Sequence, residues 1–350
     1  MIYKDDTMKK ITCLLGAVLV MVSASAQIDC SNTYTSTVSV TFEQVHERTL
    51  TGEFSVSEME KVTFSPGNLY YRQSDGQWRF AEHQYDYTGE AYPNTQEWRD
   101  HFGYGTSGYN PGVSGKTAYR PDAEDGYPEH YLWTDIAGTN SDWGVYNAIL
   151  NGGNVAGQWR TLTRTEWNYM FRTRTNAADK VALAQVNGVF GLVLLPDEFV
   201  FPGSWPSSNW VTTKTSYQTW NSSTNTFTVA QWTDMENNGA VFLPAAGGYS
   251  TVGNCSMAGI TDPTSNSAAG SYWTSTVNSS RGTFETHDTS CGSGSYYDSS
   301  CRCYRDYISK ADYNGWCVKF PEDAANSVAV GEGSVCGHRC VRLVKDVTGD

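Results

Sequence analysis

Six cysteines crowd into the stretch from 291 to 340: Cys291, Cys301, Cys303, Cys317, Cys336 and Cys340. A thiolate can bind a soft metal, attack an electrophile or oxidise to a disulfide. Cys30 and Cys255 lie upstream, and the ninth cysteine, Cys13, falls in an apolar leader. Eight therefore remain, an even number in a chain that reads as exported. That setting favours disulfides over metal or catalytic use, and all eight are disulfide candidates. Cys301 and Cys303 are expected to bond to other cysteines, because partners one residue apart close a strained ring. A zinc site built from His287, Cys291, Cys301, Cys303 and His338 lacks any Cys-x-x-Cys pair.

The same region carries a second chemistry, that of a contact surface. Residues 281–314 hold Tyr296, Tyr297, Arg302, Tyr304, Arg305, Asp306, Tyr307 and Tyr313, spaced by Ser, Gly and Asp. Tyrosine gives contact area at low entropy cost, and Ser and Gly give adaptable hydrogen bonding. Local packing of these tyrosines on the domain is the competing reading. The loop tryptophans Trp205, Trp210 and Trp220 have the stacking faces that sugars use, but tryptophan more often belongs to a core. Asp122, Glu124 and Asp125, closed by Gly126, offer hard oxygen ligands for calcium without EF-hand spacing. A solvated acidic turn explains them as well. No other cofactor is expected. The six histidines, His46, His83, His101, His130, His287 and His338, have no Gly-x-Ser-x-Gly partner, so a hydrolytic triad is unsupported.

The leader sets the compartment. Met8-Lys9-Lys10 is a basic start, Ile11 to Val22 is apolar, and Ala24-Ser25-Ala26 is a cleavage site before Gln27. Residues 1–26 thus read as a signal peptide, and the residues before Met8 as an upstream start codon or an expression scar. No lipobox precedes Cys13 or Cys30, and no second long apolar run suggests a membrane span. Without 1–26 the chain loses three of 24 basic and two of 37 acidic residues, leaving 21 against 35 and a net charge of −14. That excludes a nucleic-acid partner, which needs a basic surface. All 12 tryptophans lie after the leader, so the chain is loop-rich but not disordered.

Short elements must position these groups. Thr37 to Phe42 alternates like a strand. Lys61-Val62-Thr63-Phe64, Leu69-Tyr70-Tyr71-Arg72 and Gln77-Trp78-Arg79-Phe80-Ala81 read as a small antiparallel meander with turns at Ser65–Asn68 and Asp75-Gly76. Four short helices follow from cap signals. The first runs from Asn94 with Glu97 through Trp98 and Phe102, and the second from Asp142 through Ile149 to Gly152-Gly153. Capping boxes open the other two, at Thr163/Glu166, with Trp167, Met170 and Phe171 on one face, and at Thr228/Gln231, with Trp232 and Met235 and a stop at Gly239. Apolar strands are expected at 189–195, 240–244, 271–275, 315–320 and 340–344. Long loops cover 203–226 and 247–270.

Taken in order, several pieces carry a resemblance. They are Val62-x-Phe64-Ser65-Pro66-Gly67-Asn68-Leu69, Trp78-Arg79-Phe80-Ala81, Gly138-Thr139-Asn140-Ser141-Asp142-Trp143-Gly144, and Gln158-Trp159-Arg160-Thr161-Leu162-Thr163-Arg164-Thr165-Glu166-Trp167. Leu243-Pro244-Ala245-Ala246-Gly247, Tyr272-Trp273-Thr274-Ser275-Thr276 and Val341-Arg342-Leu343-Val344 complete the set. The chain resembles the exported bacterial C-type-lectin-like domains of the FISUMP paralogue family over about residues 52–347. Formylglycine-generating enzymes and the variable receptors of diversity-generating retroelements share that fold. The resemblance implies an α+β domain of short antiparallel sheets, a few short helices and long binding loops, stapled by disulfides. The copper-binding cysteine pair of the formylglycine-generating enzymes has a spacing that neither Cys301/Cys303 nor Cys336/Cys340 reproduces. Their Gly-Asn-Val-Trp-Glu-Trp signature is also absent.

The expected organisation is a signal peptide at 1–26, an extension or strand at 27–58 and a C-type-lectin-like domain at 59–350. The expected function is a non-enzymatic module, in the periplasm, on the cell surface or secreted, that binds a protein or glycan through the Tyr/Ser/Gly-rich loop surface of residues 281–314. A copper oxidase and a structural surface or appendage component are the alternatives.

Overall fold

A computed structural model of the chain describes residues 50–89, 96–109, 121, 134–212, 225–249, 262–265, 268–278, 296–298, 303–305, 314–321, 328–334 and 337–348. All of them fall within the compact unit Val45–Asp350. The architecture is mixed α+β, with mostly antiparallel sheets and a few short helices. Among the described residues, no helix is long and apolar enough to cross a membrane.

Four sheets and one small hairpin organise the described residues. The largest sheet runs in the order Ala329–Ser334, Asn314–Phe320, Ala269–Val277, Ala246–Tyr249, His338–Arg339 and Phe102–Gly103. Ala246–Tyr249 pairs in parallel with Ala269–Val277. A second sheet orders Asn225–Phe227, Val181–Val186, Val189–Leu194 and Val241–Pro244. Val189–Leu194 is buried at every position, as expected of an apolar run covered on both faces. Its hairpin partner Val181–Val186 escaped the sequence reading, although Asn187-Gly188 between them marks the turn. Both residues have positive φ, 50° and 81°, which a tight primed turn demands.

The expected meander divides between two sheets. Leu69–Arg72 pairs with Gln77–Phe80, as read, but Lys61–Phe64 pairs with Phe54–Ser55 and Leu343–Asp346. Arg160–Thr161 closes the far side of Leu343–Asp346. The segment 65–68 is therefore a crossing between sheets. The Ser65 N–H donates to the Leu343 carbonyl at 2.9 Å, and the Leu69 N–H to the Val341 carbonyl at 3.0 Å. The C-terminal segment lies beside this crossing and supplies acceptors on both of its flanks. Leu50, Phe54 and Val56 are buried in the main core cluster, so packing already includes part of the stretch read as an extension.

The helix expected around Trp98 is absent. Trp98–Arg99 is a strand, with Trp98 opposite Arg72 and Arg99 opposite Tyr71. The Arg72 and Arg79 guanidiniums lie over the Trp98 ring at 4.4 and 4.1 Å. This cross-strand cation–π clamp outweighs the local cap signal. The helix after Asp142 spans only Trp143–Tyr146, because Asn147 turns extended and both its backbone N–H and its side-chain amide donate to the Trp143 carbonyl. The two capping boxes form as expected. They open Arg164–Asn168, which runs on as a π-helical turn at Tyr169–Thr173, and Val229–Asn237. Trp167, Met170 and Phe171 are buried together against Phe64 and Phe54, and Trp232 and Met235 under Phe242 and Phe227.

Candidate functional site

The strands Ala269–Val277 and Asn314–Phe320 carry the surface singled out in the sequence. They are antiparallel, with Gly270 opposite Phe320 and Trp273 opposite Cys317. The register shifts before Val277 meets Gly315. Gly270 is required here, since a Cβ at this position would lie 2.0 Å from the Phe320 ring. The chain leaves this strand pair after Val277 and returns at Asn314. Within that excursion, Tyr296–Asp298 pairs antiparallel with Cys303–Arg305. The register sets Tyr296 opposite Arg305, Tyr297 opposite Tyr304 and Asp298 opposite Cys303. Four of the eight expected contact residues thus occur as two directly opposed pairs. Arg302, Asp306, Tyr307 and Tyr313 lie outside the described residues. So do Cys30, Cys255, Cys291, Cys301 and Cys336, and the calcium-loop residues Asp122, Glu124, Asp125 and Gly126.

Both ends of the excursion are pinned. The Val277 N–H donates to Asp135 Oδ1 at 2.8 Å, and Asn278 Nδ2 donates to Glu332 Oε1 at 2.8 Å. On the returning strand, the Arg164 guanidinium sits 3.3 Å above the Trp316 ring. The Arg164 N–H donates to Thr276 Oγ1 at 3.1 Å, which ties the Thr163-capped helix to the outgoing strand. Beneath, Trp273 Nε1 donates to the Phe102 carbonyl and the Tyr104 hydroxyl to the Ser275 carbonyl. The strands on either side of the excursion are therefore fastened to the sheet and to the Thr163-capped helix. The tryptophans Trp205 and Trp210 are not free stacking faces. Trp205 packs on Phe227 with ring centroids 4.3 Å apart, and Trp210 Nε1 donates to the Asp179 carbonyl. Trp220 lies outside the described residues.

Cys317 and Cys340 were both expected in disulfides. They are buried free thiols. Cys317 lies 3.5 Å from the Gly331 carbonyl oxygen of the neighbouring strand, a polar contact in place of a bond. Cys340 belongs to a cluster that no sequence spacing announced. Its sulfur is 3.7 Å from His101 Nε2, and His101 Nδ1 is 2.8 Å from Asp100 Oδ1. Asp100 also accepts from the Thr88 N–H at 3.1 Å and from the Thr88 hydroxyl. These are the residue types of a cysteine nucleophile with its base and orienter, and their ligand atoms also lie close enough to share a metal ion.

The surroundings decide what the cluster does. The Ala246 carbonyl oxygen, 3.1 Å from Nε2, can only accept, so Nε2 carries a proton. Asp100 Oδ1 faces Nδ1 on the other side, so the ring lies between a carboxyl group and a carbonyl. Burial alone would lower the His101 pKa, but the Cys340 sulfur and the Asp100 carboxylate beside it hold it well above the ordinary histidine range. Burial alone would raise Asp100, and the His101 charge with the Thr88 bonds brings it below the usual carboxylate value. Burial pushes the Cys340 thiol up. The cluster is thus enclosed, and it ties the strand pair Phe102–Gly103/His338–Arg339 to Ala246. A thiol-reactive probe is expected to leave Cys317 and Cys340 unmodified in the native protein and to label both after denaturation. Rapid native labelling of Cys340, read by peptide mass, would contradict this enclosure.

Compared with protein-family models, with curated proteins and with solved structures, the chain matches none.

Proposed function

We propose that the protein is an exported binding module of C-type-lectin-like design, which presents the loop surface of residues 281–314 to a protein or glycan ligand. The observation that carries this reading is the hairpin Tyr296–Asp298/Cys303–Arg305, inserted between two adjacent strands whose ends are fixed by Asp135, Glu332 and the Arg164–Trp316 contact. Loops on a rigid sheet are where binding residues concentrate. Opposed Tyr–Tyr and Tyr–Arg pairs supply the residue types that dominate protein interfaces. Disulfides among the cysteines of the 291–340 stretch other than Cys317 and Cys340 would limit the excursion's motion. The leader at 1–26 supports export, with the periplasm, the surface or the medium as destination.

The test replaces Tyr296, Tyr297, Tyr304 and Tyr307 together by Ser. Both proteins are applied to a glycan array and to host and bacterial surface proteins, with and without calcium. Any ligand of the wild type is expected to be lost by at least about tenfold, since hot-spot tyrosines contribute on the order of 1–2 kcal/mol each. A folded quadruple variant that kept full binding would place the site elsewhere.

A further inference from the structure

A second concave surface is built from other elements. An open cleft of about 390 Å³ is lined by Tyr70, Tyr85, Asp86, Tyr87, Asn187 and Val189. Tyr70 comes from the strand Leu69–Arg72, residues 85–87 from the segment that follows its hairpin, and Asn187 from the tight turn before Val189–Leu194. Half of the lining residues are aromatic. The one charged residue among them is an aspartate, and no lysine or arginine lines the cleft. A second carboxylate, Asp262, acts on the same surface: the Tyr87 hydroxyl is raised by burial and then by Asp262. The Tyr70 hydroxyl is pushed well up by burial first, then by Asp100 and Asp86, with Arg79 acting in the opposite sense.

Three ligand classes, an anion, a sugar and a cation, meet a cleft of tyrosines with a carboxylate and an amide in different ways. Anions are repelled by Asp86 and Asp262. A sugar would need free, directional acceptors, and Asp86 Oδ2 already accepts the His83 N–H at 2.8 Å and faces His83 Nδ1 at 3.2 Å. Its hydrogen-bonding capacity is partly spent, but its charge still acts at a distance. Aromatic rings attract cations through their quadrupole, and aromatic cages beside carboxylates hold quaternary ammonium groups. The Tyr85 ring is held by a stacked contact with His83, centroids 5.0 Å apart, and Tyr85 and Tyr87 also pack against the core. The rings are therefore set before a ligand arrives, which lowers the cost of ordering them.

We propose that this cleft binds an organic cation of the quaternary-ammonium or methylated-amine class, at a site distinct from the hairpin surface. The probes are choline, its neutral carbon isostere 3,3-dimethyl-1-butanol, and methyl glucoside, each titrated into the purified protein by calorimetry and by NMR. Choline is expected to bind in the millimolar range, and the isostere about tenfold more weakly, the size of a desolvated cation–π interaction. Tyr87→Leu and Asp86→Asn should each weaken choline severalfold, while Tyr87→Phe, which keeps the ring, should bind like wild type; circular dichroism checks the fold of each variant. Equal binding of choline and the isostere, binding of the glucoside in preference to choline, or no choline binding at all would each overturn the proposal. So would wild-type affinity in both the folded Tyr87→Leu and the folded Asp86→Asn proteins.

Discussion

Asp142→Ala is expected to lower the unfolding free energy by about 3–4 kcal/mol. The side chain is fully buried and accepts from the Gly144 N–H at 3.2 Å, the Thr161 N–H at 2.9 Å and the Thr161 hydroxyl at 2.9 Å. It caps Trp143–Tyr146 and fastens that helix to Arg160–Thr161. Removing it strands two backbone donors and a hydroxyl, each costing roughly 1–3 kcal/mol when buried. Burial pushes the carboxyl up to about 6, against the bonds from Thr161 and Gly144 that favour the charged form. A group raised in the folded state binds its proton more tightly there than in the unfolded chain. Its contribution is fully present below pH 3.8 and is lost as pH rises through about 6. The stability difference between wild type and Asp142→Asn should therefore shift against the wild type by up to ~3 kcal/mol between pH 3.5 and 7. Urea midpoints at a series of pH values read this directly. A difference that stays constant with pH would mean that the Asp142 carboxyl titrates alike in the folded and unfolded chain.

Gln84→Leu is expected to cost about 4 kcal/mol, more than its uncharged side chain suggests. Its Oε1 accepts from Arg342 Nη2 at 2.6 Å and from the Phe242 N–H at 2.8 Å, and its Nε2 donates to Glu236 Oε1 and the Ala240 carbonyl. One amide thus mediates between a fully buried arginine, a buried glutamate and the edge of the strand Val241–Pro244. Withdrawing a partner from a buried charge costs roughly 3–5 kcal/mol, whereas replacing the whole set by apolar groups can be nearly neutral. Gln84→Leu combined with Arg342→Met should accordingly be less destabilised than the sum of the single variants, by about 1–3 kcal/mol in a double-mutant cycle. Simple additivity would show that Gln84 does not solvate Arg342.

The sequence showed most where a motif is local. Thr163/Glu166 and Thr228/Gln231 each contain the whole capping interaction within four residues, and both formed. The continuous apolar run 189–194 specified a buried strand by composition alone. The Asn94 signal failed because the competing interaction is not local: Arg72 and Arg79 hold the Trp98 ring from other strands. The meander failed for a similar reason, since Lys61–Phe64 pairs with Phe54–Ser55 on one side and with the distant Leu343–Asp346 on the other. The opposed pairs Tyr297/Tyr304 and Tyr296/Arg305 were legible only as a composition, with no register. Asp100, His101 and Cys340 were not legible at all, because two adjacent residues and one far away make no spacing. The even cysteine count argued for pairing at every cysteine, and it has no means to show that Cys317 and Cys340 sit in dry surroundings that protect a thiol.

The placement of Leu343–Asp346 between Lys61–Phe64 and Arg160–Thr161 has a meaning for biosynthesis. A ribosome delivers the two flanking strands long before the one that joins them. Until then both present unpaired edges, and the acceptors for Ser65 and Leu69 do not exist. Such distant pairing makes closure slow. This sheet therefore stays open until Leu343–Asp346 has been made, however early its flanking strands emerge.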